Sequence, residues 1–407
     1  MMVEKTGKFM IFSFEENIYV WIALGCGLLF CVIMLSIQFL CWWRLRRQVK
    51  RETELSESEE EMSRTDLPSV SVVIYAHNGA DYLRESLPFF LRQDYPDFEV
   101  IVVNEASEDD TDIVVSDLKP RFPNLRLTFV PKDMQNVSRR KLALMLGIKA
   151  AQKEMIVTTN SNCHPTSLRW LRLLMSGVES DTEVVIGYSH PHYRKDEGGG
   201  RLWRAYDIVC DSVPYLSAAI GGSPYRGISD NLAYKRGTFF YNKGFAKSVN
   251  LHQGDDDVFV HEIARRHNTK VALLRESQMV ADYYNYPFEY SERKQHYGFT
   301  ARFLPQWQYW LTGMASLSYY MVLISAGVAC ALSPLNWLVV GLAGFIVLLT
   351  WVLMSVLHVG NARRLGAPGC GWLVPWFALA RPWVNLRYKI KIHNTISYNY
   401  TWRSNNK

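Results

Sequence analysis

Apolar positions are organised on two scales along this chain. Long uncharged apolar runs lie towards both ends, and between them short apolar runs of strand length are interleaved with helical patterns. Val70 to Ala76, Glu99 to Val103, Leu125 to Val130 and Met155 to Thr159 read as strands. Tyr82 to Arg92, Thr111 to Leu118, Arg139 to Ala151 and Leu168 to Gly177 follow them as helices. Strands that are apolar throughout are buried on both faces, so the alternation predicts an α/β fold with a mostly parallel sheet covered by helices.

The outer runs predict transmembrane α-helices. Residues 18–43 carry no charge over a length that crosses a hydrocarbon core with some tilt. Arg44, Arg46, Arg47, Lys50 and Arg51 follow, the reverse of a cleaved signal peptide, and the positive-inside bias predicts the N-terminus outside and the next residues in the cytoplasm. Residues 310–332 and 337–357 are uncharged and separated by Ser333 and Pro334, a hairpin that returns to the cytoplasm beside Arg363 and Arg364. Residues 371–386 are shorter, with Arg381 and two prolines, and read as an interfacial or re-entrant segment before a basic tail over 387–407. Residues 288–309 mix aromatics with Arg293, Lys294 and Arg302, an amphipathic pattern expected on the inner leaflet. Residues 44–66 turn from basic to acidic and Ser-rich, a linker too polar to bury a core. One domain, 67–287, remains.

Composition agrees with a hybrid of domain and spans. The chain has 407 residues, 48% hydrophobic yet 21% charged, room for one domain of roughly 200 to 250 residues beside the membrane segments. The net charge of +6 sits beside apolar runs and forms no stripe with interleaved aromatics, which points to a membrane surface as partner and away from nucleic acid. The seven cysteines form neither a disulfide framework nor a CxxC pair, as expected in a reducing compartment.

Ligands of open α/β sheets bind beyond the carboxyl ends of the strands. Ala76, His77 and Asn78 stand at the first such end, Asn104 and Glu105 at the second, and Asn160, Ser161 and Asn162 at the fourth. Taken in order, SVSVVIYAHNGADYLRESL, EVIVVNEASEDDT, SRRKLALMLGIKAAQKEMIVTTNSNCHP, YRGISDNLAYKRGTFFYNKGF and GDDDVFV resemble the successive motifs of family 2 glycosyltransferases over nearly the whole chain. The resemblance implies a membrane-anchored GT-A domain, similar to the cellulose-synthase and hyaluronan-synthase-like superfamily. It would take a sugar from a nucleotide-diphosphate donor to a membrane-associated glycan or lipid-linked acceptor, in envelope polysaccharide biosynthesis at a bacterial inner membrane.

Residue by residue, the resemblance implies a catalytic base at Asp256, with Asp255 and Asp257 beside it because three consecutive aspartates admit two registers. It implies donor contacts from Ala76, His77, Asn78, Glu105, Asn160, Ser161 and Asn162, and a reach of Arg140 and Lys141 to the diphosphate. It places Asn231 and Tyr234 on the acceptor side, and Arg293, Lys294, Gln295 and His296 at the diphosphate and membrane interface. Each has a plainer reading. Asp255 to Asp257 also suit a helix N-terminus, Glu105 could cap the Asp109-Asp110-Thr111 turn, Arg140 and Lys141 could be a solvated helix face, and a lone His164 is more often structural than a ligand.

Two departures stand out. The metal-binding DxD of the family reads Asn160-Ser161-Asn162, and two amides offer a Mg2+ or Mn2+ ion only carbonyl oxygens, so metal affinity is expected to be weak. In ERKQH, residues 292–296, Gln295-His296 stands where the family places Arg followed by His or Trp, which leaves processive synthesis unsupported. A degenerate transferase acting as a scaffold or binding partner in envelope assembly is the second reading. A transporter is disfavoured because the spans lack ionisable residues.

Overall fold

The computed structural model describes residues 18–58, 66–131, 138–194, 199–283, 286–395 and 400. The first element, α1 (Ile18–Ser56), is one continuous helix. It therefore runs through the first part of the expected 44–66 linker, whose Arg, Lys, Glu and Gln residues are good helix formers. Glu52 fixes that extension: its carboxylate accepts the backbone N–H groups of Leu273 and Leu274, at 2.8 and 2.6 Å, and the side-chain amide of Gln48. The remainder of the linker up to residue 65 lies outside the described residues.

The domain then builds as the apolar alternation predicts: β1 (Val70–Ala76), α2 (Ala80–Leu91), β2 (Phe98–Asn104), α3 (Thr111–Leu118), β3 (Leu125–Phe129), α4 (Arg139–Ala150), β4 (Met155–Asn160), β5 (Cys163–Pro165), α5 (Trp170–Met175), β6 (Val184–Ile186) and β7 (Ser189–Pro191). There follow α6 (Gly199–Ile220), β8 (Leu232–Lys235), α7 (Arg236–Tyr241), α8 (Asp257–Ile263), β9 (Thr269–Val271) and β10 (Met279–Ala281). Seven strands form one sheet in the order β3-β2-β1-β4-β8-β6-β9, parallel except at β8, which runs against β4 and β6. The strands β5, β10 and β7 form a small second sheet.

The strand residues feed two cores, one per sheet face. Val73, Ile101 and Ile156 pack with Leu144 and Ile148 of α4, while Val72, Val100 and Val157 pack with Leu83, Leu87 and Phe90 of α2. Gly147 lets α4 approach this closely, since a Cβ there would lie 2.5 Å from a Val73 methyl. The chain passes from β3 back across the sheet to place β4 on the other side of β1, so the carboxyl ends of β1 and β4 flank the switch point where ligands bind.

The C-terminal part is helical: α9 (Tyr286–Thr300), α10 (Gln306–Leu332), α11 (Trp337–Arg364) and α12 (Val374–Asn394). Three helices, α1, α10 and α11, are long and apolar enough to cross a membrane. They pack on one another through Val20, Ala23, Ala329, Val339 and Ala343, and expose Leu28, Leu29, Phe345 and Leu348 outward.

Two sequence expectations change here. The 288–309 segment does not lie with its charges outward: α9 packs between the domain and α12, and Lys294 turns inward to Asp207 and Asp211 at 2.9 and 3.2 Å. The 371–386 segment forms part of a longer helix whose Arg381 is matched by the same two carboxylates, with Nε 2.9 Å from Asp207. The Tyr290 hydroxyl adds a 2.7 Å hydrogen bond to Asp207. Two aspartates of α6, Asp207 buried and Asp211 half-buried, thus bind one cation from α9 and one from α12.

Candidate active site

The loops after β1, β2 and β4 meet as the register requires, with Ala76 opposite Asn104 and Tyr75 opposite Asn160. His77 and Asn78 tie the first loop to the second. The His77 ring shares a 2.9 Å hydrogen bond with the Glu105 carbonyl, and Asn78, at φ +48°, accepts the Glu108 N–H. Glu105 is buried and accepts the hydroxyl of Tyr75. The caps of the Thr111 turn come instead from Asp109, which accepts the Thr111 and Ala80 amides.

The acidic GDDD segment enters the site through Gly254, whose φ of +100° lies in a region that side chains avoid. Asp255 pairs with Arg140, Nε to Oδ2 at 3.0 Å, and the Arg140 guanidinium lies 4.7 Å over the Tyr75 ring. Asp256 caps α8, accepting the Asp257 N–H at 2.7 Å. Its other oxygen accepts the Ser229 N–H at 3.4 Å and the Tyr297 hydroxyl at 3.1 Å. Asp257 accepts the Thr300 hydroxyl and faces the protein interior. Both carboxylates thus meet α9, Asp256 at Tyr297 and Asp257 at Thr300.

The two adjacent carboxyls are driven apart in proton affinity. Burial pushes Asp256 up, but His296, the Asp257 amide, Arg140 and Arg226 outweigh it and hold it below the ordinary carboxylate value. Burial and the neighbouring Asp256 charge raise Asp257 to about 8. At neutral pH the pair therefore keeps one proton, on Asp257, and Asp256 is ionised. Burial lowers His296 against the opposing pull of the Asp256 and Asp255 charges. Its Nε2 stands 3.6 Å from Asp256 Oδ1 and is buried without a hydrogen-bond partner.

A 3-10 turn, Ser229–Asn231, joins Asp256 to the loop after β4. Ser229 gives its amide to Asp256 and accepts Arg140 Nη2 at 2.9 Å on its hydroxyl, while Asp230 accepts the Asn160 side-chain amide at 2.6 Å. Asp230 carried no assigned role in the sequence, although it lies inside the YRGISDNLAYKR motif. Its signal is the pairing of an acidic residue there with Asn at 160: an amide can donate to a carboxylate, whereas two aspartates at that distance would repel.

The Asn160 turn does not fit a tightly held divalent cation. Asn160 Oδ1 is buried without a partner, but Asn162 turns its amide to the Asp282 carbonyl and its oxygen towards the Cys163 thiol. Asp230, on the neighbouring Ser229–Asn231 turn, already has one carboxylate oxygen engaged by the Asn160 amide. Asp256, Asp257 and His296 are the one group of three metal-capable side chains among the described residues, with ligand atoms within 4.8 Å of one another. Asp257 is spent on Thr300 and on the Val258 N–H.

Five expected residues are placed elsewhere. Lys141 is buried, its ammonium donating to the Ser248 and Leu251 carbonyls and the Ser248 hydroxyl, so it braces the 248–251 loop and not a diphosphate. Asn231 is a buried clamp on the Tyr188 and Ser277 carbonyls, and Tyr234 lies in an aromatic core with Phe239 and Phe259. Lys294 belongs to the Asp207 network. Gln295 returns its amide to Ser291 one turn back. Arg293 does reach the site: it is held charged by Tyr297, Tyr283 and Asp230 against the cost of burial, and its Nη2 is unpartnered. His164 shares Asp282 with His192.

A mostly parallel sheet whose carboxyl edge gathers these loops around a buried carboxylate defines a GT-A glycosyltransferase domain. Residues 71–246 match the family described as Glycosyl transferase family 2. A stretch of 47 residues is 45% identical to an uncharacterised glycosyltransferase of Rickettsia prowazekii, covering 12% of this chain and 15% of that protein. Over 160 residues the chain is 26% identical to the probable glycosyltransferase YdaM of Bacillus subtilis, covering 38% of this chain and 37% of that protein. The chain thus spans well under half the length of these relatives. Among solved structures, the mannosyltransferase PcManGT from Pyrobaculum calidifontis, in complex with GDP-Man and Mn2+, shares the fold with a TM-score of 0.51 and 18% identity, over 84% of this chain and 98% of that one.

Proposed function

We propose that the protein is an inverting glycosyltransferase that moves a sugar from a nucleotide-diphosphate donor to a hydroxyl of a membrane-associated acceptor, a glycan or a lipid-linked sugar. The acceptor oxygen attacks the anomeric carbon while its proton passes to the Asp256 carboxylate. The bond from that carbon to the diphosphate breaks, and the nucleoside diphosphate leaves with the electron pair. The observation that carries this reading is the Ser229–Asn231 turn, which ties an ionised, buried Asp256 to the loop at the end of β4.

With neutral amides at 160 and 162, the leaving diphosphate meets Arg293 in place of a strongly held metal, so dependence on Mg2+ or Mn2+ is weak. The Pyrobaculum enzyme's GDP-Man supports the donor class. The exposed Trp372, Trp376 and Trp383 of the C-terminal region suit a membrane interface, and the arginines after the first and third apolar helices suit a cytoplasmic domain at a bacterial inner membrane. A non-catalytic scaffold would have no need to keep two carboxyls buried against each other, an arrangement that functional sites retain at a cost in stability.

Asp256→Asn tests the reading. Loss of a general base predicts turnover lower by about 10²- to 10⁴-fold. Folding should hold, because the amide oxygen can still accept the Asp257 N–H and the repulsion within the pair is relieved. Undiminished turnover would remove Asp256 from the role of base.

A further inference from the structure

A cavity of about 710 Å³ lies against the small sheet, and none of Glu105, Asn160, Asn162 or Asp256 lines it. His164 of β5, Val280 of β10 and His190 of β7 share the face that meets it, since the register sets Val280 opposite both histidines. Arg201 of α6, Arg275 and Arg363 of α11 complete the lining that matters here. The chain leaving α11 closes on the sheet at Gly366, φ +65°, where a Cβ would come 2.4 Å from His190 Nε2.

This lining is one-sided in charge. It brings together three guanidiniums and the imidazoles of His164, His190 and His192, and it includes no acidic side chain. Among the described residues no carboxylate pairs with Arg201, Arg275 or Arg363, and Arg201 Nε is buried without a hydrogen-bond partner. Asp282, just beyond β10, is taken by His164 at 2.9 Å and His192 at 2.8 Å. Burial pushes His190 down to about 4 against its bond to the Pro191 carbonyl, and the charges of Arg275, His164 and His192 push the same way, so it is neutral at neutral pH. A guanidinium donor buried without a partner costs free energy unless an anion completes it, and the planar fork matches a phosphate.

The cavity also stands at the end of an apolar helix. Arg363 follows the uncharged run 337–357 within α11, and the next guanidinium, Arg364, lies 5.3 Å over the Trp42 ring at the end of the uncharged run of α1. The Arg364 carbonyl accepts the Gln278 side-chain amide at 2.8 Å, which fixes that helix end beside β10. Tryptophans and arginines at the ends of apolar helices mark headgroup depth. We propose that this cavity binds the phosphate of an anionic phospholipid from the leaflet on the domain's side, with Arg201, Arg275 and Arg363 as donors. A zwitterionic headgroup would bring a further cation into a lining that already holds three, so the site selects lipids of net negative charge. It is separate from the donor loops and from Asp256, and does not rest on the transferase reading.

Binding of phosphatidylglycerol, labelled on an acyl chain, to the detergent-purified full chain tests it, with unlabelled phosphatidylglycerol, phosphatidylcholine of the same acyl chains and glycerol 3-phosphate as competitors. The expected result is saturable binding in which phosphatidylglycerol competes about tenfold or more better than phosphatidylcholine, the size of one charge-assisted contact. Arg201→Gln should remove that preference. Arg387→Gln, which removes an exposed cation of α12 outside the cavity, should leave it unchanged. Should Arg201→Gln fail to fold, Arg275→Gln, at an exposed position, should lower the preference in its place. Absence of saturable binding, or equal competition by phosphatidylcholine, overturns the proposal. An equal loss in Arg387→Gln would mean diffuse attraction to a basic surface and overturns it as well. Displacement by glycerol 3-phosphate as effective as by the lipid would make this a seat for soluble phosphates and overturn the lipid assignment.

Discussion

Replacing Asp207 by Asn should cost far more than a single hydrogen bond. Asp207 is fully buried and receives Arg381 Nε at 2.9 Å, Lys294 at 2.9 Å and the Tyr290 hydroxyl at 2.7 Å. The amide would turn two donors of its own towards two cations, which would then share Asp211, a side chain 30% exposed to solvent. Removing one partner of a buried ion pair costs about 3 to 5 kcal/mol, because an uncompensated charge stays behind. The loss should appear in denaturant unfolding of the purified full chain, followed by tryptophan fluorescence. Turnover should fall with it, because α9 carries Tyr297 and His296 to Asp256. Asp207→Leu combined with Lys294→Met and Arg381→Met strands no buried cation and should cost less than the single change. A loss under about 1 kcal/mol for Asp207→Asn, or a triple variant at least as damaged, would refute the reasoning.

Two further outcomes follow from the site. Asn160→Asp puts a second carboxylate at the 2.6 Å contact with Asp230, so the variant should be less stable than the parent in EDTA by about 1 to 3 kcal/mol and be rescued by millimolar Mn2+; a thermal shift with no Mn2+ response would contradict it. In the pH profile, the base acts only when ionised, and Asp256 is held below its ordinary value. Turnover should therefore stay flat as pH falls from neutrality and be lost only below the usual carboxylate range near ~4, and an acid limb near pH 6 would show that another group is the base.

The alternating elements were legible because buried parallel strands must be apolar throughout, and the expected starts of β1 to β4 fall within a residue of the observed ones. What the pattern did not reveal were partnerships across long sequence separations. Arg381 reads as a charge that spoils an apolar segment, yet its countercharge sits 174 residues earlier on α6. Glu52 reads as part of a solvated linker until the amides of Leu273 and Leu274 are placed opposite it. Asn231 and Tyr234 stand in a motif expected to face an acceptor, but Asn231 ends the turn that leads into β8, Tyr234 lies on that inner strand, and both are buried. Lys141 looks like half of a basic pair with Arg140; successive helix residues point about 100° apart, so one reaches the site and its neighbour the 248–251 loop.

The central claim is that this domain binds a nucleotide-sugar donor without leaning on a divalent cation. The most direct measurement is thermal unfolding of the purified full chain with UDP-, GDP- and dTDP-sugars, each in Mg2+, Mn2+ or EDTA. The account predicts stabilisation by one donor class, largely retained in EDTA, which mass action would place near 2.7 kcal/mol at a hundredfold excess over Kd. Stabilisation by no donor, or stabilisation abolished by EDTA, would contradict it.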